Sequence, residues 1–134
     1  MISQITRAPK VLIVDDTSFQ RDRLRSFFES RGFKVVGEAD NGMKAIDMFG
    51  IHQPDLVTMD VNMPYMNGIE TVVAIKRKNP SARIIMISAM GDPGTIKEAL
   101  SAGARDFVVK PYSIETLEKK IAEHLSDLFP NFFM

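Results

Sequence analysis

The stretch Val11-Leu12-Ile13-Val14-Asp15-Asp16 joins an unbroken apolar run to two neighbouring carboxylates. Two similar runs occur later in the chain, Leu56-Val57-Thr58-Met59 before Asp60 and Ile84-Ile85-Met86-Ile87 before Ser88. Nearly continuous apolar runs of this length are typical of parallel strands that are covered on both faces. These segments therefore indicate the strands of a parallel sheet, each followed or ended by a polar residue.

The rest of the chain alternates strand patterns with amphipathic helical patterns. This alternation predicts an α/β fold, with five helices lying on both faces of a five-stranded parallel sheet. The predicted strands are Val11–Val14, Lys34–Glu38, Leu56–Asp60, Arg83–Ser88 and Asp106–Val109. The apolar helical stripes are Leu24, Phe27 and Phe28; Met43, Ile46 and Phe49; Ile69, Val72 and Val73; Ile96, Ala99 and Leu100; and Ile114, Leu117, Ile121, Leu125 and Leu128.

Several residues mark where these elements begin and end. Ser18 and Ser113 are predicted to cap the first and fifth helices, because a serine hydroxyl can accept from an unpaired amide of the first turn. Gly32 and Gly103 stand where helices should stop, and Gly103 suits a left-handed cap. Gly68 lies in a loop after the third strand, where we expect a turn with positive φ.

Composition excludes several classes of function. The 134 residues suit one domain, and 17 basic and 17 acidic side chains give a net charge of zero. This balance argues against binding nucleic acid through a basic face and against electrostatic attachment to a membrane. The absence of cysteine rules out disulfides and thiolate metal sites. The N-terminus lacks a signal-peptide pattern and no run approaches about 18 apolar residues, so we expect a soluble, cytoplasmic protein.

The ends of the predicted strands gather the residues that carry chemistry. Asp15 and Asp16 end the first strand and Asp60 ends the third, while Ser88 ends the fourth and Lys110 follows the fifth. In an open parallel sheet, ligands bind beyond the carboxyl ends of the strands. An Asp-Asp pair alone is more often a turn, and a single lysine is usually solvated. The joint placement of these residues at four strand ends favours a functional site.

Three crowded carboxylates call for a cation, and this set suits magnesium, which prefers oxygen ligands. Lys110 would add positive charge beside Asp60 or a bound phosphoryl group, and Ser88 would offer a hydroxyl donor. Such parts suit phosphoryl transfer, which depends on positioning and charge neutralisation. We therefore expect Asp60 to act as a nucleophile that forms an aspartyl phosphate.

These residues also carry a family resemblance that spans about residues 9–128. The chain resembles the receiver domain of two-component response regulators, and the residues 129–134 form a short aromatic tail. The matching segments are Val11-Leu-Ile-Val-Asp15-Asp16, Ala39-Asp40-Asn41-Gly42, Pro54-Asp55-Leu-Val-Thr-Met-Asp60, Met63-Pro64-Tyr-Met66-Asn67-Gly68, Ile87-Ser88-Ala89 and Ala102-Gly103-Ala104-Arg-Asp106-Phe-Val-Val-Lys110-Pro111. Their order and spacing make the resemblance specific.

The resemblance implies a flavodoxin-like, doubly wound sheet in the order 2-1-3-4-5. It implies that Asp60 is the phosphoacceptor, supplied by a sensor histidine kinase, and that the domain is regulatory and not an enzyme with turnover. Magnesium would be bound by Asp15, Asp16, Asp60 and the backbone carbonyl of Asn62. The Lys110–Pro111 peptide bond is expected to be cis, as in relatives.

The resemblance also implies how the signal is switched and read. Ser88 and Lys110 would contact the phosphoryl group, and Phe107 would turn inward as the domain changes between two packings. Phe107 could equally be plain core. Asn62 and Met90 stand at positions that influence attack by water, and the apolar Met90 favours a long-lived phosphoryl group. The output surface would comprise the fourth helix, the fifth strand and the fifth helix.

The downstream partner remains open among three alternatives. Stand-alone receivers similar to this chain include CheY-type chemotaxis regulators that bind the flagellar switch, and the segments around Asp60, Ser88 and Lys110 favour that group. A phosphorelay intermediate or kinase-complex adaptor would keep the same site and differ in its partner. A receiver that dimerises on phosphorylation is the third, and we expect a monomer or weak dimer. We also expect Phe129–Met134 to fold back onto the domain.

Overall fold

A computed structural model describes residues 6–134 and confirms the predicted alternation of five strands and five helices. Each of the five predicted strands begins and ends within one residue of the observed one. The strands are β1 (Lys10–Val14), β2 (Lys34–Ala39), β3 (Leu56–Met59), β4 (Ile84–Ser88) and β5 (Asp106–Val109). The helices are α1 (Ser18–Ser30), α2 (Gly42–His52), α3 (Gly68–Lys78), α4 (Pro93–Ala102) and α5 (Ile114–Leu125).

All neighbouring strands of the sheet pair in parallel, in the order β2-β1-β3-β4-β5. This is the expected order. Val14 at the end of β1 pairs with Ala39 of β2 and with Met59 of β3, so these three strands end at the same level. The residues that follow them therefore meet at one edge of the sheet.

The sheet separates two hydrophobic cores, because successive side chains of a strand point to opposite faces. Leu12 and Val14 belong to the core under α2, α3 and α4. Val11 and Ile13 belong to the core under α1 and α5. All four side chains are at most 1% exposed. The double burial explains why β1 reads as an unbroken apolar run.

Several local predictions were wrong. Thr17, not Ser18, caps α1, and its side chain accepts from the Gln20 amide. Met43 does not join the buried stripe of α2, since it is 59% exposed and Ala45 is buried instead. Leu100 of α4 and Ile114 of α5 were also expected in buried stripes, but they are 43% and 41% exposed. Gly68 does not have a positive φ; the residue of that loop in the left-handed region is Tyr65, at φ 71°.

Other end signals agree with the structure. Ser113 caps α5 by accepting from the Thr116 amide, and Gly103 ends α4 at φ 120°. Asn67 and Glu70 form a reciprocal capping box at the start of α3. The Lys110–Pro111 peptide bond is cis, as expected.

The C-terminal residues pack against the domain. Phe129 is 1% exposed and belongs to the core under α1 and α5. The rings of Phe132 and Phe133 lie edge-on to Phe33, with centroids 5.1 and 6.1 Å away. The segment therefore folds back, as the sequence led us to expect. Among the described residues, no helix is long and apolar enough to cross a membrane.

Candidate functional site

The ends of β1 and β3 bring three carboxylates together. Because the strands are parallel neighbours, the Asp60 amide donates to the carbonyl of Val14 at 3.0 Å. Asp15, Asp16 and Asp60 each offer a carboxylate oxygen, and these oxygens lie within 4.8 Å of one another. Asp15 and Asp60 are buried, at 2% and 7% exposure, and Asp16 is exposed. We refer to these three residues as the acidic site.

Lys110 supplies the cation of this edge. Its amide donates to the Ser88 carbonyl at 2.9 Å, so β4 and β5 carry it to the same level as the acidic site. Its Nζ lies 2.7 Å from Asp15 Oδ2 and 3.6 Å from Asp60 Oδ2. We expected it to pair with Asp60 or with a bound phosphoryl group; it does lie within ion-pair distance of Asp60, but its closer partner is Asp15. Lys110 thus links the two buried carboxylates.

The surroundings of Asp60 disfavour the charged form of its carboxyl group and raise its pKa. Burial raises the pKa of its carboxyl group above the usual range, and the negative charge of Asp15 adds to that effect. Lys110, the Ser88 hydroxyl and the Asn62 amide act against the rise by favouring the charged form. The net shift is upward, so the carboxylate of Asp60 is under-stabilised in this state.

Asp15 is held much more firmly. Its Oδ1 accepts from the amide and the hydroxyl of Thr17, at 3.0 and 3.1 Å, and its Oδ2 accepts from Lys110. Its amide donates to the Ala39 carbonyl at 3.1 Å. Among the described residues, no such bond is found for the side chain of Asp16. The acidic site therefore combines one fixed carboxylate, one exposed carboxylate and one under-stabilised carboxylate.

The donor set fits a magnesium ion. Three carboxylates offer oxygen ligands only, which is what this hard cation takes, and a carboxylate cluster of this density is otherwise repulsive. A single lysine cannot neutralise three negative charges. Asn62, expected to add its backbone carbonyl, lies on the loop two residues after Asp60 and is exposed. The residues present therefore suit the ion chemically.

The remaining predicted residues border the site or the sheet edge. Ser88 is 1% exposed, and its Oγ accepts from the Met90 amide at 3.2 Å. Met90 is 39% exposed, at the start of the β4–α4 loop. Phe107 is partly buried and packs against the core under α2, α3 and α4. The structure thus brings together the acidic site, Ser88 and Lys110, while Phe107 packs against the edge of the core.

Gly68 has a role that its local sequence did not reveal. A Cβ built on Gly68 would lie 1.9 Å from the main-chain oxygen of Asp60. The glycine is therefore required by the close approach of α3 to the main chain just after β3, not by backbone conformation. Only the three-dimensional contact shows this.

Glu38 and Arg21 were also missed. The end of the second strand looked unremarkable in the sequence. In the structure, Glu38 accepts from Arg21 Nε at 3.1 Å and from Arg25 Nε at 2.6 Å. Arg21 Nη1 also donates to the main-chain carbonyl of Asp15 at 2.7 Å. A carboxylate ending a strand next to β1 was the available signal.

Known proteins agree with this geometry. The family model described as the response regulator receiver domain matches residues 11–122. The chemotaxis protein CheY of Bacillus subtilis is 44% identical over 119 residues, covering 89% of this chain and 99% of the relative. The CheY of Thermotoga maritima is 45% identical over 114 residues, covering 82% and 95%.

Solved structures give the same result. The crystal structure of a CheX–CheY complex with BeF3 and Mg²⁺ from Borrelia burgdorferi superposes with a TM-score of 0.85 at 35% identity, covering 87% of this chain and 89% of that one. Vibrio cholerae CheY4 superposes with a TM-score of 0.82 at 31% identity, covering 88% and 99%. The chain belongs to the response regulator receiver domain family and is closely related to the CheY chemotaxis regulators.

Proposed function

We propose that this protein is a signalling switch whose Asp60 accepts a phosphoryl group with magnesium held at the acidic site. The observation that carries the proposal is the placement of Asp60 at a strand end, among carboxylate oxygens within 4.8 Å and 3.6 Å from Lys110. Receiver domains generally use Mg²⁺ at their acidic phosphorylation site. Asp15, Asp16, Asp60 and the Asn62 carbonyl are the proposed ligands.

The transfer step follows from the position of Asp60. One carboxylate oxygen attacks the phosphorus of a phosphohistidine on a sensor kinase, and an acyl phosphate bond forms as the P–N bond breaks. The electron pair of the broken bond stays on the ring nitrogen, which takes up a proton from water, so the histidine leaves as a neutral imidazole. Magnesium, when bound, would neutralise charge on the phosphoryl oxygens. The under-stabilised carboxylate of Asp60 supplies the nucleophile.

Ser88 and Lys110 are the proposed sensors of the phosphoryl group. The Ser88 hydroxyl would donate to one phosphoryl oxygen, and the Lys110 ammonium, already 3.6 Å from Asp60, would pair with another. Lys110 must loosen its 2.7 Å bond to Asp15 to do so. This change of partner would move Lys110 when Asp60 is phosphorylated. Because Lys110 directly follows β5, the movement would reach Phe107 on that strand.

The proposed output is control of chemotaxis. The similarity to CheY proteins supports it, since their names state that role and the chain covers nearly their full length. The proposed partner surface comprises α4, β5 and α5, where Leu100, Val109 and Ile114 are 41–43% exposed. A purified flagellar switch protein should bind the BeF3-treated protein about tenfold or more tighter than the untreated one. Equal binding would contradict the motor assignment, and preference for a histidine phosphotransfer protein would favour a relay.

The phosphoacceptor assignment is tested by mass spectrometry of the intact protein. With Mg²⁺ and a small phosphodonor, the wild type should gain one phosphoryl group, whereas Asp60→Asn should gain none. Asp55→Asn is the matched control, because Asp55 is a carboxylate of limited exposure that stands just before β3, at the other end of the same strand. Asp60→Asn protein that still gains a phosphoryl group would refute the assignment.

A further inference from the structure

A second group of charged side chains lies behind the acidic site, between α1 and the end of β2. Arg21 uses two of its donors on different acceptors: Nη1 on the Asp15 carbonyl oxygen at 2.7 Å and Nε on Glu38 Oε1 at 3.1 Å. The Arg21 side chain is 18% exposed and the Glu38 side chain 24%. The planar guanidinium holds its donors in a fixed geometry, so the two contacts orient each other.

The Asp15 carbonyl is a sensitive point for the acidic site. It belongs to the peptide unit that joins Asp15 to Asp16, and that unit is planar. A bond that fixes the direction of the carbonyl therefore fixes where the chain enters Asp16. This matters because, among the described residues, no side-chain hydrogen bond holds the Asp16 carboxylate. The direction of Asp16 toward Asp60 depends on its main chain.

Both main-chain polar groups of Asp15, its amide and its carbonyl, are hydrogen-bonded through residues at or next to Glu38. Its amide donates to the carbonyl of Ala39, the residue after Glu38, at 3.1 Å. Its carbonyl accepts from Arg21, which Glu38 braces. We propose that Arg21, braced by Glu38, is a positioning residue that sets the affinity of the acidic site for magnesium; this inference rests on the proposed function.

Charge supports the pairing of Arg21 with Glu38. A guanidinium beside a cation site would repel the incoming ion unless its own charge were balanced. Glu38 provides that balance, and its second oxygen is held by Arg25 Nε at 2.6 Å. Arg25 bonds to Glu38 and approaches Glu29, but it makes no hydrogen bond to Asp15. Both arginines therefore bond to Glu38, but only Arg21 of the two also bonds to the acidic site.

This difference provides a matched pair of variants. Isothermal titration of the metal-free full chain with Mg²⁺ alone should show about tenfold weaker binding for Arg21→Gln, the usual range for removing a residue that orients metal ligands. Arg25→Gln should stay within about twofold of the wild type, because it leaves the Asp15 carbonyl bonded. Arg21→Lys should fall between them, since an ammonium can keep one contact but lacks the fixed fork.

A second readout separates positioning from loss of folding. The Mg²⁺ concentration that half-saturates phosphorylation by a small phosphodonor should rise about tenfold in Arg21→Gln, while the rate at saturating Mg²⁺ stays within about twofold. If Arg21→Gln does not fold, Glu38→Gln serves in its place, because it keeps the shape and removes the brace charge. It should weaken Mg²⁺ binding in the same direction.

The outcomes distinguish this inference from the proposed function. Wild type that binds Mg²⁺, with Arg21→Gln binding it equally tightly, would overturn only the positioning role. Equal weakening in Arg21→Gln and Arg25→Gln would also overturn it, because general docking of α1 would then explain the loss. Wild type that binds no Mg²⁺ would overturn both.

Discussion

Aspartates occur at both edges of the sheet, but their charges are balanced at one edge and not at the other. At the carboxyl edge, the acidic site packs three carboxylates with one ammonium, and burial raises the pKa of Asp60. The amino edge is the group Arg7, Asp55, Arg83 and Asp127, in which each carboxylate meets its own arginine. Hydrogen bonds from Arg83 hold the pKa of Asp127 below its usual range. One edge is stabilised by pairing, and the other retains unbalanced charge.

Asp55 shows the contrast most clearly. Burial alone would raise the pKa of its carboxyl group, as it does for Asp60. For Asp55, hydrogen bonds from Arg7 and from the Lys10 amide outweigh burial and lower the pKa. The Arg7 contact has two bonds, at 2.7 and 3.0 Å. The two aspartates stand at opposite ends of β3, so their different partners, not the fold, decide whether each stabilises the protein.

The largest expected effect on stability comes from Phe129, the buried aromatic side chain next to Arg7 of the amino edge. Phe129 is 1% exposed, and the Arg7 guanidinium lies 5.6 Å from its ring centroid. Phe129→Ala should lower the free energy of unfolding by about 4 kcal/mol, as large-to-small changes of buried aromatics do. Denaturant unfolding measures this. Met134→Ala, at a side chain 97% exposed, is the control and should change it by less than about 0.5 kcal/mol. Similar values for both would show that the C-terminal segment adds nothing.

The next effect tests the close packing of the carboxyl edge. Gly68→Ala should cost about 3 kcal/mol, because its methyl group would collide with the Asp60 main-chain oxygen and the chain must shift. Gly50 of α2 is the control: a Cβ there meets nothing within 4 Å, so Gly50→Ala should raise stability by about 0.5–1 kcal/mol. Unfolding curves of both variants give the comparison. A neutral Gly68→Ala would mean that the approach of α3 is not tight.

Asp55→Asn tests the stabilising edge. It removes the carboxylate that accepts hydrogen bonds from the Arg7 guanidinium and the Lys10 amide. The free energy of unfolding should fall by about 2 kcal/mol at neutral pH, and no more, because water screens the half-exposed Arg7. The lowered pKa means that Asp55 contributes stability above its usual value of 3.8 and loses it as the pH falls through the folded-state value. The difference between wild type and variant should therefore shrink in acid. A difference that stays constant in acid would contradict the charge explanation.

The sequence predicted the frame of the molecule and most of the acidic site. The apolar runs ending in Asp15 and Ser88 were sufficient because strand direction alone carries their polar ends to one edge. What it did not predict are contacts between distant segments. Gly68 lies against the main chain of Asp60 because α3 approaches it closely, and Glu38 accepts hydrogen bonds from two arginines of α1. Neither contact produces a pattern in the local sequence. Met43 was misplaced since a stripe does not say which residue of a turn faces the sheet.

Asp60→Asn should have the smallest effect and the opposite sign. A carboxyl group with a raised pKa contributes stability below its unfolded-state value, and that contribution is lost as pH rises through the folded-state value. At neutral pH the ionised group is therefore unfavourable, and in metal-free buffer Asp60→Asn should raise the free energy of unfolding slightly. Mg²⁺ should stabilise the wild type more than the variant, because Asp60 is a proposed ligand. Thermal unfolding with and without Mg²⁺ measures both terms. If metal-free Asp60→Asn were less stable than the wild type, the charged Asp60 would stabilise the protein, as Asp55 does. The contrast between the two edges would then disappear.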